Sequence, residues 1–255
     1  MHQITITDID LWYLFLIKSP NIILGFPSPV RGFLKHDIES ITEKTSQELI
    51  KKGIISRQSE GLLIDPKYDD LIVGIAHSEN TILCVRNLSS NENLISYHYK
   101  DEKIIYLERI SETLYGISII NSKDSILANL TEGFYSKSTI LGNSFPINNK
   151  VINDLREAYN GDNIQIIVDK LAHLKIAENN SEKMVRLFVD PKYKFSLVVY
   201  KNKHTKHGMG SNGVAFLGDD ESILMLEPIN GGAGKTMASF VSIEMVSEKI
   251  QSLLP

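Results

Sequence analysis

Helical and strand-like hydrophobic periods alternate along this chain, and the alternation limits its fold more than any motif does. Thr7-Asp8 caps a helix over 7–17, and Ser19-Pro20 stops it. A connection rich in Pro and Gly, Gly25-Phe26-Pro27-Ser28-Pro29, leads to a helix over 37–52. Its Ile38, Ile41, Thr45, Leu49 and Ile50 fall near one face, and Gly53 suits its C-terminal end. Asp65-Pro66 opens a third helix, with proline in the first turn and Leu71, Ile72, Ile75 and Ala76 along it. Short runs rich in Ile, Leu, Val and Tyr then predict strands at 81–85, 94–99, 104–108 and 113–119.

The same succession then repeats. Helices are predicted at 122–135, 148–159, 163–175 and 181–188, strands at 194–200, 213–217, 222–227 and 236–243, and a last helix at 244–254. The short connections between strands leave no room for parallel crossovers, so each set reads as an antiparallel meander. The expected class is α+β: two quasi-repeated halves, 1–135 and 136–255, each an antiparallel β-meander with flanking helices around a central sheet, together forming one compact unit. Asp65-Pro66-Lys67-Tyr68 returns as Asp190-Pro191-Lys192-Tyr193, but the second copy precedes a strand, so the shared letters do not mark a shared device.

Composition narrows the function. With 42% hydrophobic and 23% charged residues, enough apolar surface is available to offset the entropy of ordering the chain, which excludes wholesale disorder. Cys84 is the single cysteine, so no disulfide can form within the chain; in the apolar run Thr81-Ile82-Leu83-Cys84-Val85 it reads as a buried filler. No run approaches the roughly 20 apolar residues of a membrane span. Met1-His2-Gln3-Ile4-Thr5 lacks the basic region of a secretory signal, and a lone thiol suits a reducing compartment, so the expected location is the cytoplasm. A net charge of −4 argues against a nucleic-acid grip, which draws on excess cations.

The motifs that suggest chemistry lack the context it needs. Asn230-Gly231-Gly232-Ala233-Gly234-Lys235-Thr236 looks like a phosphate loop, whose backbone N–H groups wrap phosphates ahead of a helix. Ile229 stands where the first glycine of the full pattern belongs, and Met237-Ala238-Ser239-Phe240-Val241 reads as a strand. Gly208-Met209-Gly210-Ser211-Asn212-Gly213 matches the dinucleotide fingerprint, yet the strand candidate Val214-Ala215-Phe216-Leu217 follows it. Both segments therefore read as chain reversals. His204-Thr205-Lys206-His207 has no cysteine or placed carboxylate to complete a metal site, and no glycine-flanked serine elbow is present. The pairs Asp69-Asp70 and Asp219-Asp220-Glu221 read as a helix start and a strand turn. The sequence thus predicts no catalytic residue, no metal site and no cofactor. Leu49-Ile50-Lys51-Lys52-Gly53-Ile54-Ile55-Ser56 is similar to a recognition helix entering a wing, but only Lys44, Lys51, Lys52 and Arg57 supply cations there.

Several features taken in order resemble one family. They are the helix over 7–17 ending at Ser19-Pro20, the phrase Leu49-Ile50-Lys51-Lys52-Gly53-Ile54-Ile55, the helix opening Leu63-Ile64-Asp65-Pro66-Lys67-Tyr68-Asp69-Asp70-Leu71, and Phe240-Val241-Ser242-Ile243 leading into a helix over 246–254. This order resembles the EspG family, the cytosolic chaperones of type VII (ESX) secretion. The resemblance implies quasi-twofold α+β halves about a central antiparallel sheet, and binding without catalysis. It implies a client that is helical, prone to aggregation and destined for export, without nucleic acid or membrane insertion. In actinobacteria the clients are PE–PPE heterodimers held at the helical tip of the PPE partner. The abundance of Ile, Lys and Asn suggests an AT-rich source, for which a helical LXG- or WXG-type substrate is the analogue.

A protein of that kind must present an apolar patch ringed by polar groups. Tyr97 and Tyr99 share a strand face and Tyr106 lies on the next strand, which makes them candidates for such a patch, with a packed sheet face as their other and ordinary role. The long polar loop 201–212, with His204, Lys206, His207 and Met209, is the other candidate binding element, with disorder as the rival reading. The alternatives are a winged-helix-like nucleic-acid-binding regulator and a nucleotide-binding protein acting through Gly231 to Thr236.

Overall fold

The structure, a computed structural model, describes residues 3–18, 23–59, 61–88, 91–132, 144–148, 150–151, 178–201, 210–229 and 234–255. It is an α+β fold. The first part runs β1 (Ile4–Thr7), α1 (Asp8–Lys18), α2 (Lys35–Lys51), a hairpin of β2 (Ile55–Gln58) and β3 (Gly61–Ile64), then α3 (Pro66–Ala76). The meander β4 (Asn80–Leu88), β5 (Asn91–Lys100), β6 (Lys103–Arg109) and β7 (Leu114–Ile120) follows, with α4 (Lys123–Thr131) behind it. The second part holds β8 (Phe145–Asn148), α5 (Glu178–Val189), β9 (Tyr193–Lys201), β10 (Gly210–Gly218), β11 (Ile223–Pro228), β12 (Lys235–Phe240) and α6 (Ile243–Leu253).

The duplication predicted by the sequence is visible in the strand order. In the first run the order is β1-β7-β6-β5-β4; in the second it is β8-β12-β11-β10-β9. Each opening strand thus returns to pair antiparallel with the last strand of its own meander, Ile4 opposite Ile117 and Ile147 opposite Thr236. β1 and β8 themselves are not foreseen by the sequence. Asn148, expected to begin a helix, ends β8 instead, and Lys150-Val151 are helical; the remainder of that helix, and the one expected at 163–175, lie outside the described residues. The expected strand 236–243 stops at Phe240, because Ser242 caps α6 by accepting from the Met245 N–H.

Contacts divide the chain into two compact units that no single cut in the sequence separates. One is built chiefly on residues up to Leu83 together with Asn93–Ser122. The other combines Cys84–Glu92, Lys123–Val199 and Ser211–Pro255, so α4 belongs to it and packs on α6.

In the first unit, Thr7 Oγ1 accepts from the Asp10 N–H at 3.1 Å, turning β1 straight into α1. Leu11, Leu14 and Phe15 of α1 join Ile72 and Ile75 of α3 over Ile105, Leu107, Tyr115 and Ile117, which point to one face of β6 and β7. Gly74 lets α3 sit close, since a Cβ there would overlap the Ile105 side chain. Asp65 caps α3 by accepting from the Lys67 N–H at 2.9 Å, with Pro66 in the first turn. In the second unit, Met184, Leu187 and Phe188 form one stripe of α5 against Leu217, Leu224, Ala238, Phe240 and Ile147. No helix among the described residues is long and apolar enough to cross a membrane.

Candidate functional site

Helix α2 buries little of itself: only Thr45 and Leu49 are fully covered, which leaves most of its length facing outward. Gly53, at φ +70°, ends it in the left-handed region that glycine tolerates, and the β2–β3 hairpin follows. The Asp65 N–H returns to Ile54 O at 2.8 Å and closes the base of that hairpin. A cleft of about 620 Å³ opens between helix and hairpin, with Ile38, Thr42 and Ser46 on the helix side, Arg57 and Leu62 on the hairpin side, and Tyr13 contributed by α1. That volume lies in the range of ligand-binding clefts.

Charge is distributed unevenly across the cleft. Glu39 and Glu43, one helical turn apart, lie on the α2 wall, and Arg57 lies on the other. Glu39 has only a loose exposed contact with Lys35 at 3.8 Å, and neither Glu43 nor Arg57 has an ion-pair partner among the described residues. Leu34, 63% exposed, stands one turn before Ile38 and continues the apolar strip, with Phe33, 50% exposed, beside it. The lining carries hydroxyls and carboxylates but neither histidine nor cysteine, and it can seat apolar and charged side chains.

Two polar clusters elsewhere resemble sites but are structural. Ser78, Thr81, Ser96 and His98 are wholly or almost wholly buried. Ser96 Oγ lies 2.9 Å from His98 Nε2, and the Ser78 and Thr81 hydroxyls each lie 3.4 Å from Nδ1. A serine beside an imidazole is the geometry of an activated nucleophile, but enclosure leaves no approach for a substrate. In the second unit, Asp219 Oδ1 accepts from the Glu221 and Ser222 N–H groups, both at 2.8 Å, shaping the β10–β11 turn. Arg186 of α5 clasps that turn through Asp219 at 2.8 Å and Glu221 at 2.9 Å, and Lys192 pairs with Asp220. The hydrogen bond to Glu221 raises the Arg186 pKa first and the Asp219 and Glu221 charges add to it, against the opposing effect of burial. The Asp219-Asp220-Glu221 run is the strand turn expected from sequence. No group of three or more potential metal ligands occurs among the described residues.

Of the two roles open to the tyrosines, exposed patch or packed sheet face, the structure shows the packed face. Tyr97 and Tyr106 face each other directly across β5 and β6, their ring centroids 5.4 Å apart, and Tyr97 is fully buried. Tyr99 is 9% exposed, and desolvation raises the pKa of its phenol well above the ordinary value. Alternation shows which residues share a face, but not whether another layer covers it. His204, Lys206, His207 and Met209 lie outside the described residues, as do Gly231 and its neighbours through Ala233. Thr236 belongs to β12, opposite Pro228, so a strand follows the glycine-rich segment where a phosphate loop needs a helix. Gly210 to Gly213 likewise begin β10. Cys84 is fully buried, and burial pushes its thiol up to about 12. The cleft was missed by the sequence reading; its one local signal was the Glu39/Glu43 spacing on a helix with few core residues.

No family model matches this chain, and no curated protein matches it. Among solved structures it is similar to EspG5, the type VII secretion system chaperone of Mycobacterium tuberculosis, solved in complex with a PE25–PPE41 dimer. The TM-score is 0.67 at 10% sequence identity, over 100% of this chain and 97% of that one. Two chains this divergent that agree from end to end share a fold, and the fold is EspG-like.

Proposed function

We propose that the protein is a non-enzymatic cytoplasmic chaperone or adaptor that binds a helical client of a type VII-like export system and keeps it soluble. The observation that carries this reading is the end-to-end likeness to a chaperone solved with its PE–PPE dimer. The α2–hairpin cleft adds a surface suited to polypeptide side chains, with Tyr13, Ile38 and Leu62 in a largely polar lining and opposite charges on its walls. The client class is a PE–PPE-like pair or an LXG- or WXG-type helical protein. Nucleic acid is disfavoured as an alternative, because the exposed α2 wall that would enter a groove bears Glu39 and Glu43.

The test is co-expression of this chain with a helical secreted protein encoded beside its gene. The expected result is a stable complex on size exclusion and a client that becomes insoluble when this chain is omitted. A client equally soluble alone, with no complex formed, overturns the reading.

A further inference from the structure

The terminal strands of the two runs differ in how they face outward. Across β1 and β7, the Asp8 N–H donates to Thr113 O at 2.9 Å; across β6 and β7, the Ile110 N–H donates to Leu114 O at 2.9 Å. Antiparallel ladders alternate bonded and non-bonded pairs, so Ile4 and Ile6 carry the β1 bonds to β7, and the Thr5 N–H and C=O point away from the sheet. Along β12, the Ile229 N–H donates to Lys235 O at 2.9 Å and the Val241 N–H donates to Ile223 O at 3.0 Å. Phe145 and Ile147 then bond to β12, and Pro146 faces the open side.

Proline at an outward position removes the donor another strand would need, a standard protection of a sheet edge. β8 has that protection. β1 has neither proline nor charge: Gln3-Ile4-Thr5-Ile6-Thr7 is uncharged and β-branched at every strand position, and Gln3 and Thr5 are exposed.

We propose that β1 is a self-association edge, on which a second copy of this chain adds its own β1 antiparallel about a twofold axis at Thr5. The pattern is self-complementary. Thr5 pairs with Thr5 of the second copy, each donating its N–H to the other's C=O, and Gln3 falls opposite Thr7. Ile4 falls opposite Ile6 of the second copy and Ile6 opposite its Ile4, so the half-buried Ile4 gains apolar cover on the face that packs on α1. No like charges meet along the strand. A strand this short gives a weak, concentration-dependent dimer. The inference stands apart from the proposed client binding.

Sedimentation velocity on the full chain, from low micromolar to the solubility limit, tests it. The wild type is expected to shift toward twice the monomer mass as concentration rises, and Thr5→Val to do the same. Thr5→Pro removes no bond to β7, so its circular dichroism and thermal midpoint are expected to match the wild type while it stays monomeric. Thr5→Lys is the second variant: it changes an exposed side chain and sets like charges opposite each other, and it too is expected to stay monomeric. Hydrogen exchange at the Thr5 amide is expected to slow with concentration. A wild type that is monomeric throughout, a Thr5→Lys that associates like the wild type, or a Thr5 amide insensitive to concentration overturns the proposal.

Discussion

At the scale of single residues, the tightest constraints lie where a missing atom or a missing charge is required. Gly218 ends β10 directly against the Tyr193 ring, and a Cβ there would overlap it; the ring is fixed by its hydroxyl, which donates to Asp219 O at 3.3 Å. Gly218→Ala is therefore expected to destabilise by about 1–3 kcal/mol, the usual penalty for overpacking a site that cannot yield, read as a lowered urea midpoint at unchanged slope. Cys84 makes the pH dependence predictable. Folded, its thiol keeps its proton up to about 12, against 9.0 for the free group, so between those values the native state binds more protons than the unfolded one. The stability this provides is complete below pH 9 and is lost as pH rises towards 12. Tyr99 and Tyr193, whose phenols burial also raises, act in the same direction. Denaturation across this alkaline range is expected to show falling stability, with a shallower fall for Cys84→Ala.

At the scale of elements, the sequence reading succeeds wherever structure is specified locally. α3 is the clearest case, with Asp65 as its cap, Pro66 in its first turn and an apolar stripe behind them. Replacing Asp65 by Ala is expected to cost about 1 kcal/mol, the usual loss when a capping side chain is removed, measurable by chemical denaturation. The eight meander strands were legible because each holds several alternating apolar residues between turn clusters. β1 and β8 were not, because each has four residues and owes its strand character to a distant partner, β7 or β12. Pro146 further disguises β8, and Thr7 in β1 doubles as the cap of α1. The cleft was illegible for a related reason. Glu43 and Arg57 are close in sequence, but the angle between α2 and the hairpin decides whether they flank a groove, and no local spacing encodes that angle.

At the scale of the whole molecule, one arrangement is used twice: an opening strand, helices, a four-strand meander into which the opening strand pairs, and a closing helix. The repeated hydrophobic period carried this plan, which is why the fold class was readable without a motif. The same physics bears on the two glycine-rich segments, 208–213 and 230–236. Both lead into meander strands, so neither supplies the helix N-terminus that would hold a phosphate. The account rests on one surface of the molecule receiving a polypeptide. The most direct test is titration of the helical secreted protein encoded beside this chain's gene against the wild-type chain and against the double variant Glu43→Lys/Arg57→Glu, whose changes lie on exposed walls of the cleft. Tight binding to the wild type and at least a tenfold loss in the folded variant, about 1.4 kcal/mol, is the predicted result. Equal affinity for both would contradict the cleft as the receiving surface, and no measurable binding to the wild type would contradict the account as a whole.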